Sequence, residues 1–364
     1  MSATAAHRAS VPLDSTPLDA VLALSDEIGV LSIYADADPA LWAGPRPAWQ
    51  TPVRVGLRRV LEQARSEWPR AERAALEARL DELRPELDDL LDPRGRGRGR
   101  ALFASIVTGA VERLELRMPF PPSVTLDRHP RILPLLTTLQ AGRPAGVVCV
   151  TSRLEVYEWA GGAIATLETL DLASAAEPAR GWPGVTNPSV RQPALERDRF
   201  EAAAEARILA RVRWTTQRLE RLARDRQWDA IVVDGEPRLV QEVERSLGAN
   251  GITLVPSLQP LLGVGAVDVA TRAGATLQKM RATQAKQLAA QLRTSPLATG
   301  GGTAVATALA HGRVERLLLN ASAADPVQIE ELLRRAVATA AEITLLAPPA
   351  RELGSDGTAA LRRW

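Results

Sequence analysis

Residues 146–170, GVVCVTSRLEVYEWAGGAIATLETL, hold three short runs rich in β-branched and aromatic residues, with Gly161-Gly162 placed between the last two. Such runs form strands, and a Gly-Gly pair supplies the positive φ angles that a two-residue hairpin turn requires. This stretch therefore has to build a sheet. A charged helical stretch (about 196–226), WDAIVVDG (228–235), a helix over 237–247 and GITLVPS (251–257) come later. Strand alternating with helix predicts an α/β layer with some parallel pairing.

Two further blocks flank this one. Ahead of it, VLSIYAD (30–36) reads as a strand. Residues 54–91 carry Val60, Leu61, Leu76, Leu80, Leu83, Leu87 and Leu91 at three- and four-residue spacings among charges, the pattern of amphipathic helices. DPRGRGRGR (92–100) breaks that pattern, ALFASIVTGAVERLELRM (101–118) predicts paired strands, and a helix over about 131–140 closes the block. After it comes a long polar helix (about 266–293), the loop TSPLATGGG, a helix over 303–311, the strand VERLLLN, a helix over 326–340, the strand EITLLAP and a final GSDGTAALRRW. The expected organisation is an N-terminal α+β domain (1–142), a central α/β domain (143–262) with an extended loop over 173–195, and a small C-terminal α/β sandwich (263–364).

Composition narrows the function classes. With 46% hydrophobic and 24% charged residues in 364, the chain has globular character. It has no run of about 18 uncharged apolar residues and its first ten residues lack an apolar signal core, which places it in the cytoplasm with no membrane partner. Cys149 is the one cysteine, set in the apolar run GVVCV, and reads as a buried structural thiol. Lys279 and Lys286 are the only lysines among 45 basic residues. Arginine excess follows from a GC-rich genome and also suits RNA, since guanidinium pairs bidentately with phosphate and stacks on bases.

Several chemistries are missing. No GxxxxGK[ST] phosphate loop occurs, His7, His129 and His311 are scattered, there is no GxSxG elbow, and GGGTAV (300–305) lacks GxGxxG phasing. No metal and no cofactor is expected. Asp234-Gly235-Glu236 reads as acids capping the next helix, with Pro237 in its first turn. The stretch GWPGVTNPSVRQPALERDRF (181–200) is punctuated by Pro183, Pro188 and Pro193 and predicts a loop.

Two stretches of the third block carry a family resemblance. TGGGTAVATALAHGRVERLLLN (299–320) resembles the C-terminal domain of archaeal and eukaryotic class 1 release factors and Pelota: a glycine turn, a helix ending Ala-Leu-x-x-Gly-x-Val-Glu, then a strand of leucines. Ala308-Leu309, Gly312, Val314-Glu315 and Leu317 to Leu319 match in order. DGTAALRRW (356–364) resembles that domain's closing strand through Gly357, Ala359, Ala360, Arg363 and Trp364. The arrangement is similar to the bacterial branch of this family, which includes Balon-type ribosome hibernation factors. The resemblance covers nearly all of 143–364; the first block matches loosely, through VLSIYAD, the Gly/Arg run and the Pro-rich turn PFPPS (119–123).

The resemblance implies a three-domain α/β architecture and a ribosome-associated translation factor that binds in a tRNA-like position to protect or block idle or stalled ribosomes. Its implied partners are the rRNA of the large subunit, the intersubunit tRNA site and a translational GTPase. In the family the central loop carries Gly-Gly-Gln to the peptidyl-transferase centre. Here Gly184 stands eight residues before Gln192, and Pro193 follows it. Gln192 is the catalytic candidate of a peptidyl-tRNA hydrolase or release-factor alternative, with Arg191, Arg197 and Arg199 around it as rRNA contacts. Arg94, Arg96, Arg98 and Arg100 are read as a second, cationic tip on an adaptable glycine backbone. The helix 207–226 offers Arg207, Arg211, Arg213, Arg218, Arg221 and Arg224, with Trp214 read as core. No Asn-Ile-Lys-Ser element occurs, so codon reading is not expected. An RNA-binding or protein-interaction module without ribosome contact is the third reading.

Overall fold

The run VLSIYAD becomes β1 (Val30–Asp36), and its alternate residues face two different cores. It pairs antiparallel with β2 (Gly99–Ser105) on one side and β4 (Ser123–Asp127) on the other, and β3 (Val111–Leu116) completes the order β3-β2-β1-β4. Leu31, Ile33 and Ala35 pack under α2 (Gln50–Glu67), α3 (Arg70–Glu82) and α4 (Arg84–Leu90), which supply Val53, Ala64, Leu76 and Leu90. Val30 and Tyr34 face the opposite side, where Tyr34 meets Phe103 and Phe120 edge to face, 5.6 and 5.0 Å between centroids. Strand β4 is not foreshadowed by the PFPPS turn leading into it. The computed structural model describes residues 15–37, 49–95, 97–172, 193–248, 251–320, 325–346, 353 and 356–364, with backbone alone over 15–18 and 193–201.

In the central region β5 (Ala145–Val150), β6 (Arg153–Ala160) and β7 (Ala163–Asp171) form an antiparallel meander. Gly161 and Gly162 have φ of 57° and 78°, as the hairpin reading requires. β8 (Ile231–Gly235) lies parallel to β5, and β9 (Leu254–Pro256) parallel to β8, giving the order β7-β6-β5-β8-β9. α6 (Pro193–Asp225) and α7 (Pro237–Gly248) cover one face, where Val148, Val150, Val156, Val212, Leu219, Ile231 and Val243 are buried together. The helix opens on Pro193 itself, inside the span 173–195 expected as loop. Proline is tolerated there because the first helical N–H has no intrahelical acceptor anyway.

The third block forms a sheet in the order β10-β13-β11-β12. β10 (Ala298–Gly300), within the expected loop TSPLATGGG, pairs antiparallel with β13 (Thr358–Arg362). β11 (Val314–Asn320) is central, antiparallel to β13 and parallel to β12 (Glu342–Leu346). Helices α9 (Gly302–Ala310) and α10 (Pro326–Ala338) pack on the face holding Leu317 and Leu319. Leu318 faces the other way, toward Ala285, Ala289 and Leu292. A strand buried on both faces explains the unbroken leucine run. Helix α9 ends as its sequence suggests: Gly312 has φ 63°, its N–H reaches Leu309 O at 2.9 Å, and Arg313 N–H reaches Ala308 O at 3.0 Å, a Schellman closure.

The compact units do not follow the expected three blocks. Residues 1–142 and 282–364 form one unit, and 143–281 the other. Two helices account for the difference. α5 (Leu133–Ala141) gives Leu135 and Leu139 to the first-block core but Leu133 and Leu136 to the core of α9 and α10. The boundary near 281 falls inside α8 (Ala266–Leu292). In its earlier half, Ala270 O accepts a hydrogen bond from Trp159 Nε1 of the central sheet at 2.9 Å; its later half supplies Ala285, Ala289 and Leu292.

Candidate nucleic-acid interface

The Gly/Arg segment is built tightly rather than pliably. Arg100 lies on β2, only 3% exposed, and its guanidinium donates to the carbonyls of Leu90 (3.0 Å), Asp92 (2.5 Å) and Gly95 (2.6 Å). It also stacks 5.7 Å from the Trp49 ring centroid. Arg100 is thus a structural residue that ties the end of α4 to the sheet, which corrects the reading of it as part of a cationic tip. The glycines are there for fit. A Cβ on Gly95 would meet the Arg100 guanidinium at 2.7 Å, one on Gly99 would meet Met118 O at 2.1 Å, and Gly97 holds φ 76°. Arg94 and Arg98 are exposed, and the Arg94 N–H donates to Asp92 Oδ1 at 2.9 Å. Arg96 lies outside the described residues.

In the central unit, Gly184, Arg191 and Gln192 also lie outside the described residues. Arg197 and Arg199 fall in the first turns of α6, where the backbone alone is described. Further along, α6 is fixed by ion pairs. Arg213 Nε lies 2.5 Å from Glu242, a carboxylate that is buried at 3% exposure and also receives Arg245 at 2.6 Å. Arg218 meets Glu168 of β7 at 3.0 Å, and Arg224 meets Glu220 at 3.5 Å. Three of the arginines read as a basic face are therefore paired inside the protein. Trp214 is 54% exposed rather than core. Its position opposite the buried Val212 and Leu219 on the helical wheel carries that exposure in the sequence, against the usual preference of tryptophan for burial.

Asp234 does a different job from the expected cap. Its Oδ2 accepts the Leu261 N–H at 2.6 Å, tying the segment after β9 to the C-terminal end of β8. Gly235 has φ 145°, and a Cβ there would stand 1.9 Å from Val150 O, so close approach of two strands requires glycine. Cys149 on β5 is buried, and burial, with Asp234 and Glu155 nearby, pushes its thiol up to about 12. A thiol so held is protonated at neutral pH and is no nucleophile. Among the described residues no group of His, Cys, Asp and Glu side chains is arranged to hold a metal, and no helix is long and apolar enough to cross a membrane.

Residues 130–253, from the start of α5 to the edge of β9, match the sequence family described as bacterial archaeo-eukaryotic release factor family 10. The match covers about a third of the chain and makes this central segment similar to that family. The matched segment includes the whole of α6 and the span 173–192 before it. No curated protein shows significant sequence similarity to the chain. Among solved structures, the chain is similar to an archaeal translation termination factor, aRF1, at 16% identity over 96% of this chain and 97% of that one, with a TM-score of 0.27. It is similar to archaeal Pelota, described in a ribosome-bound state with ABCE1, at 13% identity over 70% of this chain and 72% of that one (TM-score 0.41). It is also similar to Dom34 of S. cerevisiae, described as interacting with Hbs1, at 10% identity over 73% and 79% (TM-score 0.36).

Proposed function

We propose that the protein is a ribosome-associated factor of the release-factor type that occupies a tRNA-like position and protects or blocks idle or stalled ribosomes. The observation that carries this reading is the family match over 130–253, which takes in both the 173–192 span and the arginine-bearing α6. In this reading Gly184, Arg191, Arg197 and Arg199 lie against rRNA of the large subunit. Arg94, Arg96 and Arg98 form a second contact, and a translational GTPase is the other partner. Cytoplasmic location follows from the partner.

Hydrolysis is the second reading, and Gln192 is its residue. The eight-residue gap from Gly184 and the start of α6 at Pro193 depart from the Gly-Gly-Gln arrangement, which favours binding without chemistry. Cryo-EM of ribosomes incubated with the full chain tests the first reading: density for this chain in the intersubunit tRNA site supports it, and its absence at saturating protein counts against it. Release of labelled peptide from ribosome–nascent-chain complexes tests the second. Release that is lost in Gln192→Ala makes the residue catalytic; no release by the unaltered protein removes that reading.

A further inference from the structure

One side of α6 carries a row of arginines around a tryptophan. Arg207, Arg211, Trp214, Arg218 and Arg221 recur at spacings of four, three, four and three, so they share one face of the helix. The opposite side holds Val212, Thr216 and Leu219, all buried. Over its 15 residues the stripe extends about 21 Å, at 1.5 Å per residue. Arg211, Arg218 and Arg221 are exposed, and Trp214, between the first two along the helix, has 54% of its surface open. Arg218 is held by Glu168, whereas Arg211 and Arg221 have no ion pair among the described residues. The first carboxylate on this face is Asp225, the last residue of the helix.

We infer that this face binds a single-stranded RNA segment, with an unpaired base stacked on Trp214 and adjacent phosphates paired with Arg211 and Arg221. Charge selects the occupant. Exposed guanidinium groups at Arg211 and Arg221, with no carboxylate of the helix between them on this face, attract a polyanion, and the open indole between them gives a π-face for a base. A purely apolar partner would leave the two arginines desolvated without counter-charge. A duplex would satisfy the arginines and leave the indole without a base to stack on. The inference goes beyond ribosome association, because it names a surface and the strand chemistry that surface selects.

The test uses the full chain and a fluorescein-labelled oligouridylate of about 16 nucleotides, the upper end of site sizes on such surfaces, read by anisotropy across a salt series. Trp214→Ala is expected to weaken binding about tenfold, the scale of one lost stacking contact, with the salt dependence unchanged. Trp214→Phe is expected to restore most of it. The double change Arg211→Gln, Arg221→Gln is expected to make the log–log salt slope shallower by about 1.4, at about 0.7 for each single-strand phosphate contact. Far-ultraviolet circular dichroism checks that each variant is folded. Binding of Trp214→Ala equal to the unaltered protein, equal competition by duplex RNA of the same length, or no binding of the oligonucleotide at all overturns the inference. Any of these results leaves ribosome association standing, since that is read separately on intact ribosomes.

Discussion

Glu330 Oε2 on α10 lies 2.8 Å from the backbone nitrogen of Ile132, 198 residues earlier in the chain. The other carboxylate oxygen accepts the Leu133 N–H at 3.1 Å, and Arg131 Nε stands 3.7 Å away. These N–H groups open α5 and have no intrahelical acceptors, so a carboxylate from the C-terminal block caps a helix of the N-terminal block. The cap adds to the apolar contacts of Ile132, Leu133 and Leu136 that join these two distant segments in one unit.

Removing that cap has a defined cost. Glu330→Ala leaves two N–H groups without their acceptor and is expected to lower stability by about 1–3 kcal/mol, measured as a shift in the urea midpoint. Burial raises the Glu330 pKa, against the opposing pull of the Ile132 and Leu133 N–H groups and Arg131. The folded state therefore holds its proton to higher pH than the unfolded chain does. This group's contribution falls as pH rises from the ordinary glutamate value, about 4.3, through the raised folded one. Glu330→Gln is expected to flatten that slope.

Asp26 works with the opposite sign. It is 5% exposed and accepts from the N–H groups of Ile28 and Gly29, both 2.9 Å, from Val107 N–H at 2.7 Å, and from the Ser105 hydroxyl. Burial alone would raise its pKa, but these donors together outweigh it and hold the carboxyl below the ordinary value. The stability it adds is complete above the unfolded aspartate pKa, about 3.9, and is lost as pH falls through the depressed folded pKa. Asp26→Asn is expected to cost about 2 kcal/mol near neutral pH and progressively less in acid, as followed by denaturation at a series of pH values.

The two kinds of arginine in the Gly/Arg segment separate by experiment. Arg100→Gln strands three backbone carbonyls and is expected to destabilise by about 2 kcal/mol. Arg94→Gln, on the surface, is expected to stay within about 0.5 kcal/mol. Thermal or urea unfolding of the two variants decides it; equal losses would contradict the assignment of Arg100 to the interior.

Much of this fold is written in local pattern. Hydrophobic period exposed the strand VLSIYAD and the helices over 54–91, and glycine chemistry marked both the 161–162 hairpin and the Gly312 helix end. What stayed hidden was set by partners distant in sequence. Glu330 reads as one acid on a charged helix until Ile132 is beside it. Arg100 is indistinguishable from Arg94 in RGRGRGR until β2 brings it against the carbonyls of Leu90, Asp92 and Gly95. Asp234 looks like a helix cap because its acceptor role for Leu261 depends on how the segment after β9 returns to the sheet. Trp214 reads as core because tryptophan is usually buried, although its phase against Val212 and Leu219 turns it to the surface. Gln192 and Gly184 fall outside the described residues, and their role rests on the ribosome experiments.

The central proposal is that this chain binds the ribosome. Sedimentation of the full-length protein with purified bacterial ribosomes and with isolated large subunits, at low salt and then at increasing salt, tests it most directly. Stoichiometric co-sedimentation with the ribosome that weakens as salt rises is the predicted result. Protein left entirely in the supernatant at low salt, with both particles, would contradict it.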